Sequence, residues 1–88
     1  MTTKTWNIQI LLGEQDDITQ ADAVLDLPGK TEMRGHGNSK RSPEDPAVAM
    51  IGDELAVARA LSDLAHQLLH VAARDIEAST RTPASPHL

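Results

Sequence analysis

Apolar and polar residues alternate in three stretches of the first half of the chain. In the first stretch, from Trp6 to Leu12, every second residue is apolar, with Leu11 as the exception. The same period of two recurs from Ala21 to Leu27 and, with small residues, from Thr31 to Asn38. A period of two is typical of strands that bury one face. The pattern therefore predicts three β-strands.

The connections between these strands are marked by turn residues. The stretch from Gly13 to Ile18 contains a glycine and three acids, and predicts a solvated loop that joins the first two strands. Pro28-Gly29 marks the second turn. A three-residue loop from Pro28 to Lys30 would keep apolar residues on one face, since it places Leu25 opposite Met33. We therefore predict the longer loop and this register.

That register also predicts where a helix can approach the sheet. It aligns small residues on one face of strands two and three: Ala21, Ala23, Gly35 and Gly37. Such a shallow trough lets a helix pack closely on the sheet. The two glycines destabilise their strand. This loss of stability is offset only if the helix packs closely on the sheet at these positions.

One long helix is predicted after the strands. Apolar residues recur there with the three- and four-residue spacing of an amphipathic helix. We expect the helix to begin near residues 50–53, with Asp53 as its N-cap, and to end near Ala73, beside Arg74. An Asp45-Pro46 cap on a short helical turn is the alternative start.

The apolar arc of this helix spans about 200°, which is wider than the stripe that one small sheet requires. The residues interpreted as surplus follow one another at seven-residue spacing: Val57, Leu64 and Val71. We interpret this ridge as a dimer interface. A chain of 88 residues without cysteine has no disulfide to stabilise its small core, and a partner subunit would do so.

The predicted fold is therefore α+β, with the order β-β-β-α and a three-stranded antiparallel sheet covered on one face by a long C-terminal helix. We assign residues 1–80 to a single domain. Residues 81–88 contain two prolines among polar residues, and we expect them to form a disordered tail.

Composition narrows the classes of function. The net charge is −5, and a single tryptophan is the only aromatic residue. The charge opposes unspecific attraction to nucleic acid, and binding single strands by base stacking needs several aromatic side chains. The chain has no apolar run long enough for a signal peptide or a membrane span, so we expect a cytoplasmic protein without membrane contact.

No residue pattern predicts catalysis. His66 and His70 have the spacing of two metal ligands on one helix face, but Gln67 stands where a zinc protease needs its glutamate. The triplet Gly35-His36-Gly37 lacks the third glycine and the lysine of nucleotide-binding loops. We therefore expect no enzymatic activity, no metal and no cofactor.

Basic residues are concentrated around strand three. The cluster comprises Arg34, His36, Lys40 and Arg41, of which the first three share the outward parity of the strand. Two interpretations remain open. The cluster could contact phosphate groups of RNA, or it could keep an edge strand soluble and unpaired.

Several motifs together resemble one known family. They are Ile51–Leu64, Asp75–Thr80, Gly35-x-Gly37, Pro43-x-Asp45 and Thr19-x-Ala21-x-Ala23-x-Leu25. The chain resembles the small actinobacterial proteins of domain-of-unknown-function family 1876, and the resemblance covers nearly everything from Trp6 to Thr80.

The resemblance implies a β-β-β-α domain of the double-stranded-RNA-binding-like (dsRBD-like) class, commonly a homodimer, in proteins associated with hypoxia, dormancy or other stress. The shape is similar to that of ribosome hibernation-promoting factors. Two functional hypotheses follow. The first is a dimeric module that binds the ribosome or structured RNA through the basic cluster, and the second is a protein-interaction or regulatory homodimer without a nucleic-acid role.

Overall fold

A computed structural model describes residues 1–42, 44 and 48–81 of the chain. It contains three strands and one helix, in the order β1 (Ile8–Gln15), β2 (Ile18–Leu25), β3 (Met33–Lys40) and α1 (Ala49–Thr80). The strands form one antiparallel sheet in the order β1-β2-β3. The predicted α+β class and β-β-β-α order are confirmed. The Pro43-x-Asp45 motif, the alternative Asp45-Pro46 start and residues 82–88 lie outside the described residues.

The predicted loop between β1 and β2 is wrong. Only Asp16 and Asp17 separate the two strands, and Gln15 pairs directly with Ile18. Asp16 has a φ of 56°, a left-handed conformation that aspartate tolerates better than most residues. The acidic composition indicated a longer loop. It does not show that a single aspartate can adopt the left-handed conformation of this tight turn.

The predicted register between β2 and β3 is confirmed. Leu25 pairs with Met33, and Ala23 pairs with Gly35. The connection is longer than the predicted three residues, because pairing stops at these residues and leaves residues 26–32 between the strands. Within it, the Lys30 N–H donates to the Leu27 carbonyl at 3.1 Å around Gly29, whose φ is 70°.

The trough of small residues holds the helix, as predicted. Ala23 and Ala60 are fully buried, one on each side of the contact. A Cβ atom added at Gly35 would lie 2.6 Å from the Leu64 nitrogen and would also collide with the Ala60 carbonyl oxygen. The close approach of helix and sheet therefore depends on the absence of side chains in β3.

The helix begins at Ala49, within one residue of the predicted start near residues 50–53, but the predicted N-cap and the predicted C-terminal end are wrong. The N-cap is Val48, which offers no side-chain hydrogen bond, and Asp53 lies inside the helix. At the other end the helix continues to Thr80, and Arg81, with a φ of 57°, donates its N–H to the Glu77 carbonyl. No glycine or proline lies between Arg74 and Thr80, so the sequence contains no helix breaker where we predicted the end.

The core lies between α1 and the two strands β2 and β3. It consists of small and branched apolar residues: Ala21, Ala23, Leu25, Leu27, Ala56, Ala60 and Leu64. The helix makes most of its sheet contacts with β3 and β2 and touches β1 at few points. In the described ranges, no helix combines the length and hydropathy that a membrane crossing requires.

Candidate interaction surfaces

The inner face of β1, which is the face on the helix side, remains largely uncovered. Its register places Ile8, Ile10 and Leu12 on the same face as the buried residues of β2. Ile8 is 45% exposed and Leu12 is 49% exposed, while Ile10 is half-buried. The exposure follows from the position of α1, which lies over the other two strands.

The outer face of α1, which points away from the sheet, is also apolar. The helix directs Ala56, Ala60 and Leu64 at the sheet, and the positions on the opposite side of a 3.6-residue turn carry no charge. We define this outer face by its residues Ile51, Leu55, Ala58, Ser62, Ala65, Leu69 and Ile76. Ile51, Leu55 and Ile76 are 48%, 44% and 45% exposed, and Ile51 and Leu55 also line a cleft with Thr19 and Lys40 near the β1–β2 turn.

The surplus apolar surface predicted for the helix exists, but it lies elsewhere on the helix than we expected. Leu64 is 1% exposed and packs against β3, so its assignment to a dimer interface is wrong. Val57 and Val71 are half-buried; Val57 packs against the core, and Val71 lies in a cleft with Trp6. The hydrophobic pattern predicted the wrong sheet-facing side of the helix. The observed side is centred on two alanines, which contribute little to such a pattern.

Leu61 joins the two uncovered surfaces. It lies on the flank of α1 between the half-buried Val57 and Leu68, and it is 39% exposed. Positions 61 and 63 differ by about 200° on a helix, so Leu61 points away from the β3 side, where Asp63 lies. We call the inner face of β1, this flank and the outer face of α1 together the apolar surface.

Three polar side chains of α1 cover the free edge of β3. Arg59 Nη1 donates to the Asn38 carbonyl at 2.7 Å, and Gln67 Nε2 donates to the Arg34 carbonyl at 2.6 Å. Between them, the His36 N–H donates to Asp63 Oδ2 at 2.7 Å. We call Arg59, Asp63 and Gln67 the β3-edge cap. These contacts were not predicted, because no local pattern in the sequence shows which helix side chains reach a strand edge.

The β3-edge cap also sets the electrostatics of Asp63. The hydrogen bond from the His36 N–H is the main reason that the pKa of Asp63 lies below its ordinary value, with a smaller contribution from Gln67 Nε2 at 3.3 Å. Partial desolvation opposes this effect. Asp63 therefore carries its charge down to lower pH than an isolated aspartate.

The structure brings the predicted basic residues close to acids. Arg34 lies 3.0 Å from Glu32 and 3.5 Å from Asp22, and His36 Nδ1 lies 2.6 Å from Asp22. Arg34, His36 and Lys40 share the outer face of β3, as their parity predicted.

Arg41 lies apart from this face, at the β1–β2 turn. It contacts Asp17 at 2.9 Å. Glu32 and the cross-strand Asp22 were not predicted as partners, although both share the outward parity of Arg34 and His36.

Two residues with hydroxyl side chains are buried between the sheet and the helix. Thr19 and Ser39 pair across the sheet and are 6% and 5% exposed, and Ser39 Oγ donates to the Gly52 carbonyl at 2.8 Å. Their parity, which is that of Ala21 and Gly37, could have predicted their burial. His66 Nδ1 lies 2.7 Å from the Ser62 carbonyl, and the described part of the chain holds no group of three or more potential ligands suited to a metal ion.

Comparisons with known proteins agree with this architecture. The crystal structure of Rv2632c superimposes with a TM-score of 0.85 at 49% identity, covering 94% of this chain and 98% of that chain. In sequence, the uncharacterized protein Rv2632c of Mycobacterium tuberculosis is 50% identical over 82 residues, which are 93% of this chain and 87% of that protein. The uncharacterized protein Mb1767 of Mycobacterium bovis is 46% identical over 79 residues, covering 90% and 83% of the two chains. The model of the Rv2632c-like family matches residues 4–85, and the chain therefore belongs to that family.

Proposed function

We propose that this chain is a protein-interaction module that acts as a homodimer and has no nucleic-acid role. The observation that supports the proposal is the apolar surface. It combines the inner face of one of the three strands with an uncharged helix face, and six of its large apolar side chains are 39–49% exposed. Contiguous exposed apolar surface of this kind marks interaction sites in soluble proteins.

The size of the domain supports self-association. A chain of 88 residues buries a smaller share of its unfolded surface than a large domain does, and four of the seven residues in its buried core are alanines. Alanines contribute little apolar area, whereas the larger Ile8, Leu12 and Leu55 remain exposed. A second copy would bury these large apolar side chains, whose burial does not stabilise the isolated domain.

The alternative function is binding of the ribosome or structured RNA by Arg34, His36, Lys40 and Arg41. It is supported by the resemblance to dsRBD-like, stress-associated proteins and to hibernation-promoting factors, which is a fold-level analogy. Three of the four side chains contact an acid, and phosphate would have to compete with these carboxylates. We therefore rank RNA binding second.

Light scattering tests the homodimer. We expect the wild-type chain at micromolar concentration to show twice the mass of one chain. The double variant Leu12→Lys with Leu61→Lys should shift to the mass of one chain, because both lysines place charge on the apolar surface. The matched control is Leu11→Lys, since Leu11 is 43% exposed on the same strand but on the opposite face of the sheet.

Circular dichroism of each variant would show whether it remains folded. A wild-type mass of one chain up to about 100 μM would overturn the proposed function. A folded Leu12→Lys, Leu61→Lys variant that stayed dimeric would show that the apolar surface is not the interface.

A further inference from the structure

The apolar surface has two parts, one on the sheet and one on the helix. The sheet offers a strand, β1, with an uncovered inner face, and the helix offers an uncovered outer face and one uncovered flank. Within one chain these surfaces cannot meet, because α1 already lies over β2 and β3. A second copy supplies both missing surfaces at once.

We propose that two copies interlock, so that α1 of each copy packs on the inner face of β1 of the other. This proposal rests on the proposed homodimer and specifies its arrangement. The result is a three-layer particle with a sheet on each outside and two helices side by side between them. The flank that carries Leu61 then faces the same flank of the partner helix.

The spacing of sheets and helices permits this arrangement. Neighbouring strands lie about 4.8 Å apart, so β1 lies about 7 Å to the side of a helix centred between β2 and β3. Packed helices lie about 8–10 Å apart, which places the second helix within about 3 Å of a position directly over β1. A two-fold axis that runs between the helices, parallel to them, generates both contacts.

The area is sufficient for a stable dimer. Each copy contributes three faces, namely the inner face of β1, the helix flank and the outer face of α1. An eight-residue strand is about 27 Å long and a helix is about 10 Å wide, so the three faces bury at most about 800 Å² of each copy, since Ile10 and Leu69 are already half-buried. This is the area that a standard specific interface buries in each partner.

The chemistry of the surfaces favours a second copy over an unrelated partner. The outer face of α1 has no charge, and the inner face of β1 has one, on Glu14 at the end of the strand. A two-fold contact is self-complementary and closed, so it buries both apolar surfaces and leaves neither exposed on the assembly. At the other edge of the sheet, the β3-edge cap already bonds to backbone groups of β3, which are therefore not available to pair with a second copy.

The register of helix and sheet predicts individual contacts. Gly37 packs against the helix at Ala56 and Ala60, and it shares its level across the sheet with Ala21 and Leu12. Under the two-fold axis, Leu12 therefore lies at the level of the partner's Ala58.

Disulfide cross-linking tests this arrangement, because the chain has no cysteine. We expect the double variant Leu12→Cys with Ala58→Cys to migrate as a covalent dimer on a non-reducing gel after mild oxidation. The matched control is Leu11→Cys with Ala58→Cys, in which the strand cysteine lies on the other face of the sheet and should leave the chain monomeric on the gel.

The outcomes separate the two proposals. If the Leu12→Cys, Ala58→Cys variant is dimeric by light scattering but forms no covalent dimer, the interlocked arrangement is overturned and the homodimer stands. Equal cross-linking of the Leu11→Cys control would also overturn the arrangement. A wild-type chain that is monomeric by light scattering would overturn the homodimer itself.

Discussion

At the scale of single residues, the helix–sheet contact is controlled by glycines whose missing side chains make room for backbone. Gly35 faces the Ala60 carbonyl and the Leu64 nitrogen, and Gly37 faces the backbone of Ala56 and Ala60. Backbone atoms of a helix cannot move aside singly, so any side chain here must lift the helix. Gly13 provides the contrast, because a Cβ there would meet nothing within 4 Å.

We expect Gly35→Ala to destabilise the protein by about 1–3 kcal/mol, the usual cost of overpacking a core. For a domain of this size, that corresponds to a fall in melting temperature of at least about 4 °C. Thermal unfolding followed by circular dichroism would measure it. Gly13→Ala is the control, and its change should stay within about 0.5 kcal/mol. Equal melting temperatures for the two variants would contradict this account of the contact.

At the scale of secondary-structure elements, the helix protects an edge strand. An exposed strand edge presents unpaired N–H and C=O groups that can pair with another chain. Arg59, Asp63 and Gln67 lie four residues apart on α1 and bond to these groups of β3. The four-residue spacing matches successive turns of the helix to alternate residues of the strand.

The state of Asp63 should make this cap sensitive to acid. Because its folded-state pKa is depressed, mainly by the His36 N–H, the Asp63 carboxylate adds stability above the unfolded pKa of about 3.9. That contribution is lost as the pH falls through the folded-state pKa. We therefore expect the melting temperature of the wild type to fall more between pH 6 and about pH 3 than that of Asp63→Asn.

The asparagine retains an oxygen that can accept from the His36 N–H but does not titrate. Melting curves of both proteins at several pH values would measure the difference, and the other acids, which both share, cancel in the comparison. Parallel pH profiles of the two proteins would show that this carboxylate makes no such contribution.

At the scale of the whole molecule, the distribution of charge favours protein contact over RNA contact. The chain has 13 acidic and eight basic residues, and Arg34, His36 and Arg41 each contact a carboxylate. Phosphate binding by such a surface would have to displace these contacts. The apolar surface needs no such rearrangement.

We accordingly expect the wild-type protein not to co-sediment with ribosomes at about 100 mM salt, because repulsion outweighs the few available cations. Sedimentation through a sucrose cushion at low and moderate salt would measure it. The comparison variant is Arg34→Glu with Lys40→Glu. Association of the wild type that this variant abolished would support RNA or ribosome binding and reverse our ranking of the two functions.

Much of this protein was determined by its sequence alone. The period of two in the strands, the trough of small residues and the requirement that Leu25 face Met33 fixed the β-β-β-α order and the β2–β3 register. These features are local or depend on parity, and a shift by one residue would expose every buried side chain of a strand. The excess of apolar surface on the helix was also visible in the sequence.

Only the tertiary structure decided which side of the helix meets the sheet. Ala56 and Ala60 carry too little hydrophobicity to dominate an apolar arc, yet their small size lets the helix approach Gly35 and Gly37. The side of the helix that packs on the sheet is therefore the one that carries the two alanines and Leu64. Leu55 and Leu61 remain exposed to solvent. The pairing of Asp22 with His36 and of Asp63 with the β3 edge likewise depends on residues far apart in the chain, which no local pattern brings together.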